Sequence, residues 1–274
     1  MEITVIIGYV LAVVAIFFGM TFGSEGFNIG ALANFWNAQG VFITIGGTFM
    51  VLLASFPFKA FTNIPKHLKM VFMKDKTDPQ QYVEILVELS KEARRKGLLA
   101  LEAKSAEIED EFLRESVLRI VDAIEPDKLK IWFDQKLELI ELRNEEERKL
   151  YDFGAALGPA FGMIGTLIGL INMLKSMNLD GGAEKLGQDM SVALITTFYG
   201  SVLANVVFMP ISNKVAIAQE RDILIKELII EGVVSIKEGE NPKYIEEKLM
   251  NFVESSKKKK DEDGEDKKAK KKKK

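Results

Sequence analysis

Charged residues fall along this chain in blocks, with no helical or strand rhythm. Four stretches contain no Asp, Glu, Lys or Arg: Ile3 to Ser24, Gly26 to Phe58, Phe153 to Leu174 and Met190 to Asn213. Each holds at least the roughly 20 residues a helix needs to cross about 30 Å of hydrocarbon. A water-soluble helix keeps one polar face, so runs this long without a charge predict four membrane spans.

The intervals between them carry a different pattern. From Lys59 to Asp152 the apolar residues return at helical spacing. Thr77-Asp78-Pro79 supplies a cap and a first-turn proline, Val83, Leu86, Val87 and Ser90 follow on one face, and Arg94, Arg95 and Lys96 precede Gly97, as helix ends prefer. A second helix carries Leu113, Val117, Ile120, Val121 and Ile124 and stops at Glu125-Pro126. From Asp127 no Gly or Pro interrupts the chain before the third stretch, past Ile131, Leu137, Ile140 and the charged run Glu145 to Lys149, which predicts one long helix leaving the membrane by several turns. After the fourth stretch, Lys214 to Lys237 stays helical in character, Gly239 breaks it and Asn241-Pro242 starts a short final helix. Lys257 to Lys274 is charged low-complexity sequence that cannot bury enough apolar area to offset chain entropy; it reads as a disordered tail, either solvated or touching anionic lipid.

The expected architecture is an all-α integral membrane protein. Residues 1–58 hold spans 1 and 2, 59–152 a cytoplasmic helical domain, 153–213 spans 3 and 4, 214–256 C-terminal cytoplasmic helices and 257–274 the lysine-rich tail. Orientation follows from the basic residues. Lys59, Lys66, Lys69, Lys74 and Lys76 follow the second stretch, Arg143, Arg148 and Lys149 precede the third, and Lys214, Arg221 and Lys226 follow the fourth. The connector between the first two has no Lys or Arg, and Lys175 and Lys185 in the last connector are set against Asp180, Glu184 and Asp189. By the positive-inside rule the insert and both termini are cytoplasmic. No basic residue precedes the first stretch, so it reads as a retained span and not as a cleaved signal.

Composition narrows the chemistry. There is no cysteine and one histidine, His67, so thiol nucleophiles, thiolate metal sites and histidine clusters are excluded. No nucleophile, metal cluster or phosphate loop marks an enzyme, and no feature points to nucleic acid. Within the spans only Tyr9 and Tyr199 are ionisable. A protein that moves ions normally places a carboxylate, base or histidine inside the membrane despite a cost of about 2.5 to 3.5 kcal/mol. Either this chain moves no ions, as a passive scaffold, or a partner supplies the titrating group.

Small residues offer faces for close packing. Gly154, Gly158, Gly162, Gly165 and Gly169 recur near one face of the third span, and Ala193, Thr197, Gly200, Ser201 and Ala204 near one face of the fourth. Two readings stay open: contact between the chain's own spans, or a surface for a partner helix. Thr166 lies beside the glycine face and Thr197 on the small face; such hydroxyls either bond their own backbone or line an ion path. Pro159 and Pro210 each remove a backbone hydrogen bond, shaping or hinging their helices.

The ordered motifs resemble the MotA and PomA subunits of flagellar stators, within the larger group that includes TolQ and ExbB. They are Gly46-Gly47-Thr48 with Pro57, Gly158-Pro159 through Gly162-Met163-Ile164-Gly165-Thr166-Leu167-Ile168-Gly169, Ala193-Leu194-Ile195-Thr196-Thr197-Phe198-Tyr199-Gly200 with Pro210, and Arg94 to Gly97 to Glu102. The resemblance implies several A-type copies, thought to be five, around two single-span B-type subunits whose membrane Asp carries a proton or a sodium ion. It implies that Arg94 and Glu102 meet the rotor's switch complex, that Thr166, Thr197, Gly158, Gly162, Gly165, Gly169 and Ser201 line the ion path or face the partner, that Pro159 and Pro210 act in hinging or coupling, and that no cofactor is held. A threonine at Thr166 resembles the sodium-type members. TolQ-like and ExbB-like energisers are the alternative, but they carry one span before the insert where this chain carries two.

Overall fold

A computed structural model describes residues 3–23, 26–72, 78–122, 124–177 and 183–253, and these are helical almost throughout. The Thr77 part of the predicted cap and the lysine-rich tail lie outside the described residues. The chain divides into two compact units, residues 1–75 with 144–218, and residues 76–143 with 219–274.

In the first unit, α1 (Ile3–Thr21) runs into a minimal antiparallel hairpin, β1 (Phe22–Gly23) and β2 (Gly26–Phe27), with Phe22 opposite Phe27. The second apolar stretch is not one helix. Asn28 accepts from the Gly30 N–H and caps a 3₁₀ turn, Ile29–Phe35; Asn37 accepts from the Gly40 N–H and starts α2 (Ala38–Val41). Asparagine carboxamides compete for backbone donors and so restart the helix, a signal that the absence of charge conceals. From α2 the helix continues through a π-segment, Phe42–Gly46, into α3 (Gly47–Ser55), and Pro57 then precedes α4 (Phe58–Thr62) and α5 (Ile64–Phe72). The 18 residues Ala38–Ser55 suffice to span hydrocarbon.

The third stretch lies in α9 (Pro126–Met177), a single 52-residue helix with Pro159 inside it. At 1.5 Å per residue it is about 78 Å long, the uninterrupted helix that the sequence predicts. The fourth stretch runs from α10 (Ala183–Val202) through a second π-segment, Leu203–Phe208, into α11 (Met209–Lys237). Among the described residues three helices are long and apolar enough to cross a membrane; α1 offers the shorter apolar stretch Ile7–Thr21. The unit's core joins Leu52, Leu150, Tyr151, Leu203 and Phe208. Gly47 and Gly154 leave room for Phe161 and Phe208, whose rings stand 2.4 and 2.6 Å from where a Cβ would be.

The second unit is built on α6 (Pro79–Lys96), α7 (Ala100–Ser105), α8 (Glu111–Val121), the N-terminal part of α9, the C-terminal part of α11 and a last helix, α12, over residues 242–253. Asp78 caps α6 by accepting from the Gln80 N–H, Pro79 occupies the first turn, and Gly97 ends the helix at φ 86°. That backbone conformation is one that glycine adopts without strain. Val83, Leu86, Val87, Leu113, Val117 and Ile120 are buried as their spacing predicts, with Val121 and Ile124 half-buried beside them; α9 contributes Leu129 and Phe133 while Ile131 is exposed. Gly239, at φ 77°, separates α11 from α12, whose Ile245 and Leu249 close the core.

Candidate functional site

The glycine face of α9 meets α10 and the π-segment beyond it at backbone distance. A Cβ on Gly158 would stand 2.8 Å from Gly200 O, one on Gly162 3.1 Å from Thr196 O, one on Gly165 2.4 Å from Thr196 Cβ, and one on Gly169 2.7 Å from Asp189 O. Of the two readings the sequence left open for these four glycines, contact between the chain's own spans accounts for them: each is buried against its fourth span. Partner-facing is therefore corrected for Gly158, Gly162, Gly165 and Gly169 in this chain, because hydrogen in place of a side chain is what lets the two helices touch.

That close approach brings the two threonines together. Thr166 Oγ1 and Thr197 Oγ1 lie 2.6 Å apart. Thr166 Oγ1 is also 3.1 Å from Gly162 O and 3.0 Å from Ala193 O, and Thr197 Oγ1 is 3.3 Å from Ala193 O. Two hydroxyl and two carbonyl oxygens thus converge, and Thr196 Oγ1 also reaches Ala193 O at 3.0 Å. Such a group offers spare lone pairs and no charge, which suits a hydrated cation or an ordered water. Thr166 is half-buried, and Thr197 and Ser201 are exposed.

Other polar groups of the spans tie helices of this unit together. Tyr199 Oη donates to Phe35 O at 2.5 Å and accepts from the Asn37 N–H at 3.1 Å, tying α10 to the turn before α2. Thr44 and Thr48 are fully buried, Thr48 Oγ1 donating to Thr44 O and Thr44 Oγ1 reaching Thr196 O at 3.4 Å. Pro159 sits within the continuous α9, and Pro210 is the second residue after the Leu203–Phe208 π-segment. At Pro210 the missing N–H stands beside the register slip.

In the second unit Arg94 and Glu102 are both exposed, in the last turn of α6 and the first turn of α7, on either side of Gly97. Their neighbours are neutralised locally: Arg95 and Lys96 pair with Glu92 at 2.6 and 2.7 Å, and Lys104 pairs with Glu107 at 3.0 Å. Hydrogen bonds from Lys96 and Arg95 hold the Glu92 carboxyl below its ordinary range. Arg94 and Glu102 take part in no ion pair among the described residues.

Sequence reasoning set His67 aside as a lone histidine, yet it is buried with both ring nitrogens engaged. Nδ1 is 2.9 Å from Tyr151 Oη and Nε2 is 3.2 Å from Glu147 Oε2, which binds α5 to the stretch of α9 just before the third span. Burial first, and then the Glu147 carboxylate, push the Tyr151 phenol up to about 12. Only distance in space joins residues 67 and 151, so no local pattern announces this cluster. Asn205, in the π-segment, also escaped notice because amides were not counted among the spans' polar groups. It is exposed, and its Nδ2 donates to Ser201 O at 2.9 Å.

The apolar stretches of the first unit thus offer a hydroxyl pair and no carboxylate or base of their own. The MotA/TolQ/ExbB proton channel family matches residues 104–228. The chain is 37% identical over 253 residues to Motility protein A of Borreliella burgdorferi, covering 92% of this chain and 94% of that protein. It is also similar to the solved structures of C. jejuni MotAB and of the flagellar MotAB stator complex from Bacillus subtilis. Both have TM-score 0.79 and 28% identity; the first covers 92% of this chain and 96% of the matched chain, the second 93% and 97%. The chain belongs to the MotA/TolQ/ExbB proton channel family, a family of channels and not of enzymes. Within it, the function that goes with this likeness is that of a flagellar-motor stator subunit.

Proposed function

We propose that the chain is the A-type subunit of a stator that, together with a single-span B-type partner, turns ion flow across the inner membrane into torque on the flagellar rotor. The observation that carries this reading is the Thr166–Thr197 hydroxyl pair, 2.6 Å apart in spans that hold no carboxylate of their own. A partner's membrane Asp facing this pair would be solvated by hydroxyl and carbonyl oxygens, and an ion reaching it would pass over the same atoms. Four spans with the insert and both termini in the cytoplasm fit the distribution of Lys and Arg. Five copies around two B-type subunits, embedded in lipid, is the arrangement the resemblance implies. Arg94 and Glu102, left unneutralised by their neighbours, are the groups that meet the rotor's switch complex.

The transported ion is a proton or sodium: a hydroxyl can bind sodium through oxygen or hold a water for proton relay, and the resemblance of Thr166 to the sodium-type members favours sodium. Each unit charge crossing gains about 2.3 kcal/mol per 100 mV of potential, so a small change in site energy stalls or releases the step. Motility measured against sodium at fixed pH tests the reading. Speed is expected to rise with sodium, and Thr166→Ala to weaken that dependence with the complex intact. Speed that ignores sodium rejects the sodium assignment, and unchanged torque in the Thr166→Ala, Thr197→Ala double variant rejects the path.

A further inference from the structure

Beyond the threonine pair, the same face of the fourth span carries a second set of oxygens. Thr197, Ser201 and Asn205 recur every four residues and all three are exposed. At 1.5 Å per residue they lie about 6 Å apart along the helix, and chain direction places Asn205 nearest the end of the span that the basic residues mark as cytoplasmic. An exposed carboxamide inside a membrane span is costly unless water, an ion or another polar group meets it.

Two local features turn this amide outward and leave its oxygens unused. Asn205 Nδ2 donates to Ser201 O, which directs the donor end back along the helix. Ser201 Oγ and Asn205 Oδ1 have no partner among the described residues. The backbone adds a third oxygen. In the π-segment the Met209 N–H donates to Ala204 O, five residues back, and not to Asn205 O, its α-helical acceptor. The next donor in a π-pattern would be residue 210, but Pro210 has no N–H. The Asn205 carbonyl therefore loses its α-helical donor to the register slip and its π-helical donor to the proline, in the turn that also presents the side-chain amide.

We propose that Asn205 and Ser201 form a second subsite for a monovalent cation with its water, one step to the cytoplasmic side of the Thr166–Thr197 pair, and that Pro210 helps to make it by freeing the Asn205 carbonyl. The inference rests on the stator reading above. Its chemistry is that of neutral oxygens which lower the cost of an ion leaving the threonine pair without holding it. The rival role for the amide is packing, as a hydrogen-bonding group to a partner helix.

The test uses the full chain with its B-type partner in motile cells. Torque is measured against sodium at fixed pH and against pH at fixed sodium, and complex recovery is measured by co-purification. Asn205→Ala is expected to lower torque at least threefold at every ion concentration with co-purification unchanged. Asn205→Ser, which restores one oxygen, is expected to recover half or more of the loss. Normal torque in Asn205→Ala overturns the subsite, as does a loss of torque that only follows a loss of co-purified partner, or no rescue by Asn205→Ser. Normal torque in Asn205→Ala beside impaired torque in the double threonine variant removes the subsite and leaves the stator reading standing. Impaired torque in Asn205→Ala beside a silent threonine variant removes the threonine path, and with it a subsite that serves ions leaving that pair.

Discussion

Single atoms decide how closely the third and fourth spans approach. Gly158 and Gly200 sit back to back, a Cβ on the second falling 2.4 Å from Gly158 O. A backbone oxygen cannot swing aside as a side chain can, so Gly158→Ala must push the helices apart, an overpacking cost of roughly 1 to 3 kcal/mol. Gly187, with nothing within 4 Å of its Cβ position, is the control. Thermal unfolding of the purified complexes is expected to shift down for Gly158→Ala and to hold or rise slightly for Gly187→Ala, where alanine favours the helix without a clash; equal shifts would mean the contact does not matter. Tyr151 gives a second test at this scale. Its pKa is raised above the ordinary phenol value, to about 12. The stability tied to its neutral form is then fully present below about pH 10. It is lost as pH rises from there towards 12, because the unfolded chain gives up the proton first. Ultraviolet titration of tyrosinate should show a late phenol near pH 12 that Tyr151→Phe removes, and the fall in stability over that window should shrink with it.

At the scale of elements, the joint between α6 and α7 presents the charges assigned to the rotor. Gly97 at φ 86° sets the direction in which α7 leaves, and so how Arg94 and Glu102 are displayed. Exposed ion pairs contribute about 0 to 1 kcal/mol, so neutralising either residue should impair torque mildly. Reversal should hurt more, since it replaces attraction by repulsion with the partner surface. Arg94→Glu and Glu102→Lys are each expected to reduce stator recruitment in fluorescence counts of motor-bound complexes. If the doubly reversed chain is recruited and drives swimming as well as the unaltered one, the contact surface lies elsewhere. The long α9 joins the two scales: its residues before 144 pack in one unit and its later ones in the other, with no break in between.

For the whole molecule, orientation is the property that charge alone predicts. The chain has no cysteine, so single introduced thiols report their own location. Phe27, in the first connector, and Gln80, at the start of α6, are both exposed. In intact cells an impermeant maleimide is expected to label Phe27→Cys and to reach Gln80→Cys only after the membrane is opened. Labelling of Gln80→Cys alone would invert the topology. The Gly181 position considered for the outer side lies outside the described residues.

Much of the architecture was legible in the sequence because its causes are local. Uncharged runs mark the three helices long and apolar enough to cross a membrane, Asp78-Pro79 and Gly97 bound α6, the absence of Gly and Pro from Asp127 to Phe153 predicts the long α9, and Gly239 with Pro242 sets off α12. Local pattern failed where side chains redirect the backbone: Asn28 and Asn37 divide the second stretch, and the π-segments leave no mark in hydrophobicity. Tertiary structure alone decided which of two uses the glycines serve, since a small residue permits close approach without naming what approaches. It alone joined Thr166 to Thr197, 31 positions apart, and His67 to Tyr151, 84 apart. A hydroxyl pair or a buried imidazole acquires its chemistry from its neighbours in space, and those are set by packing between helices and not by spacing along one.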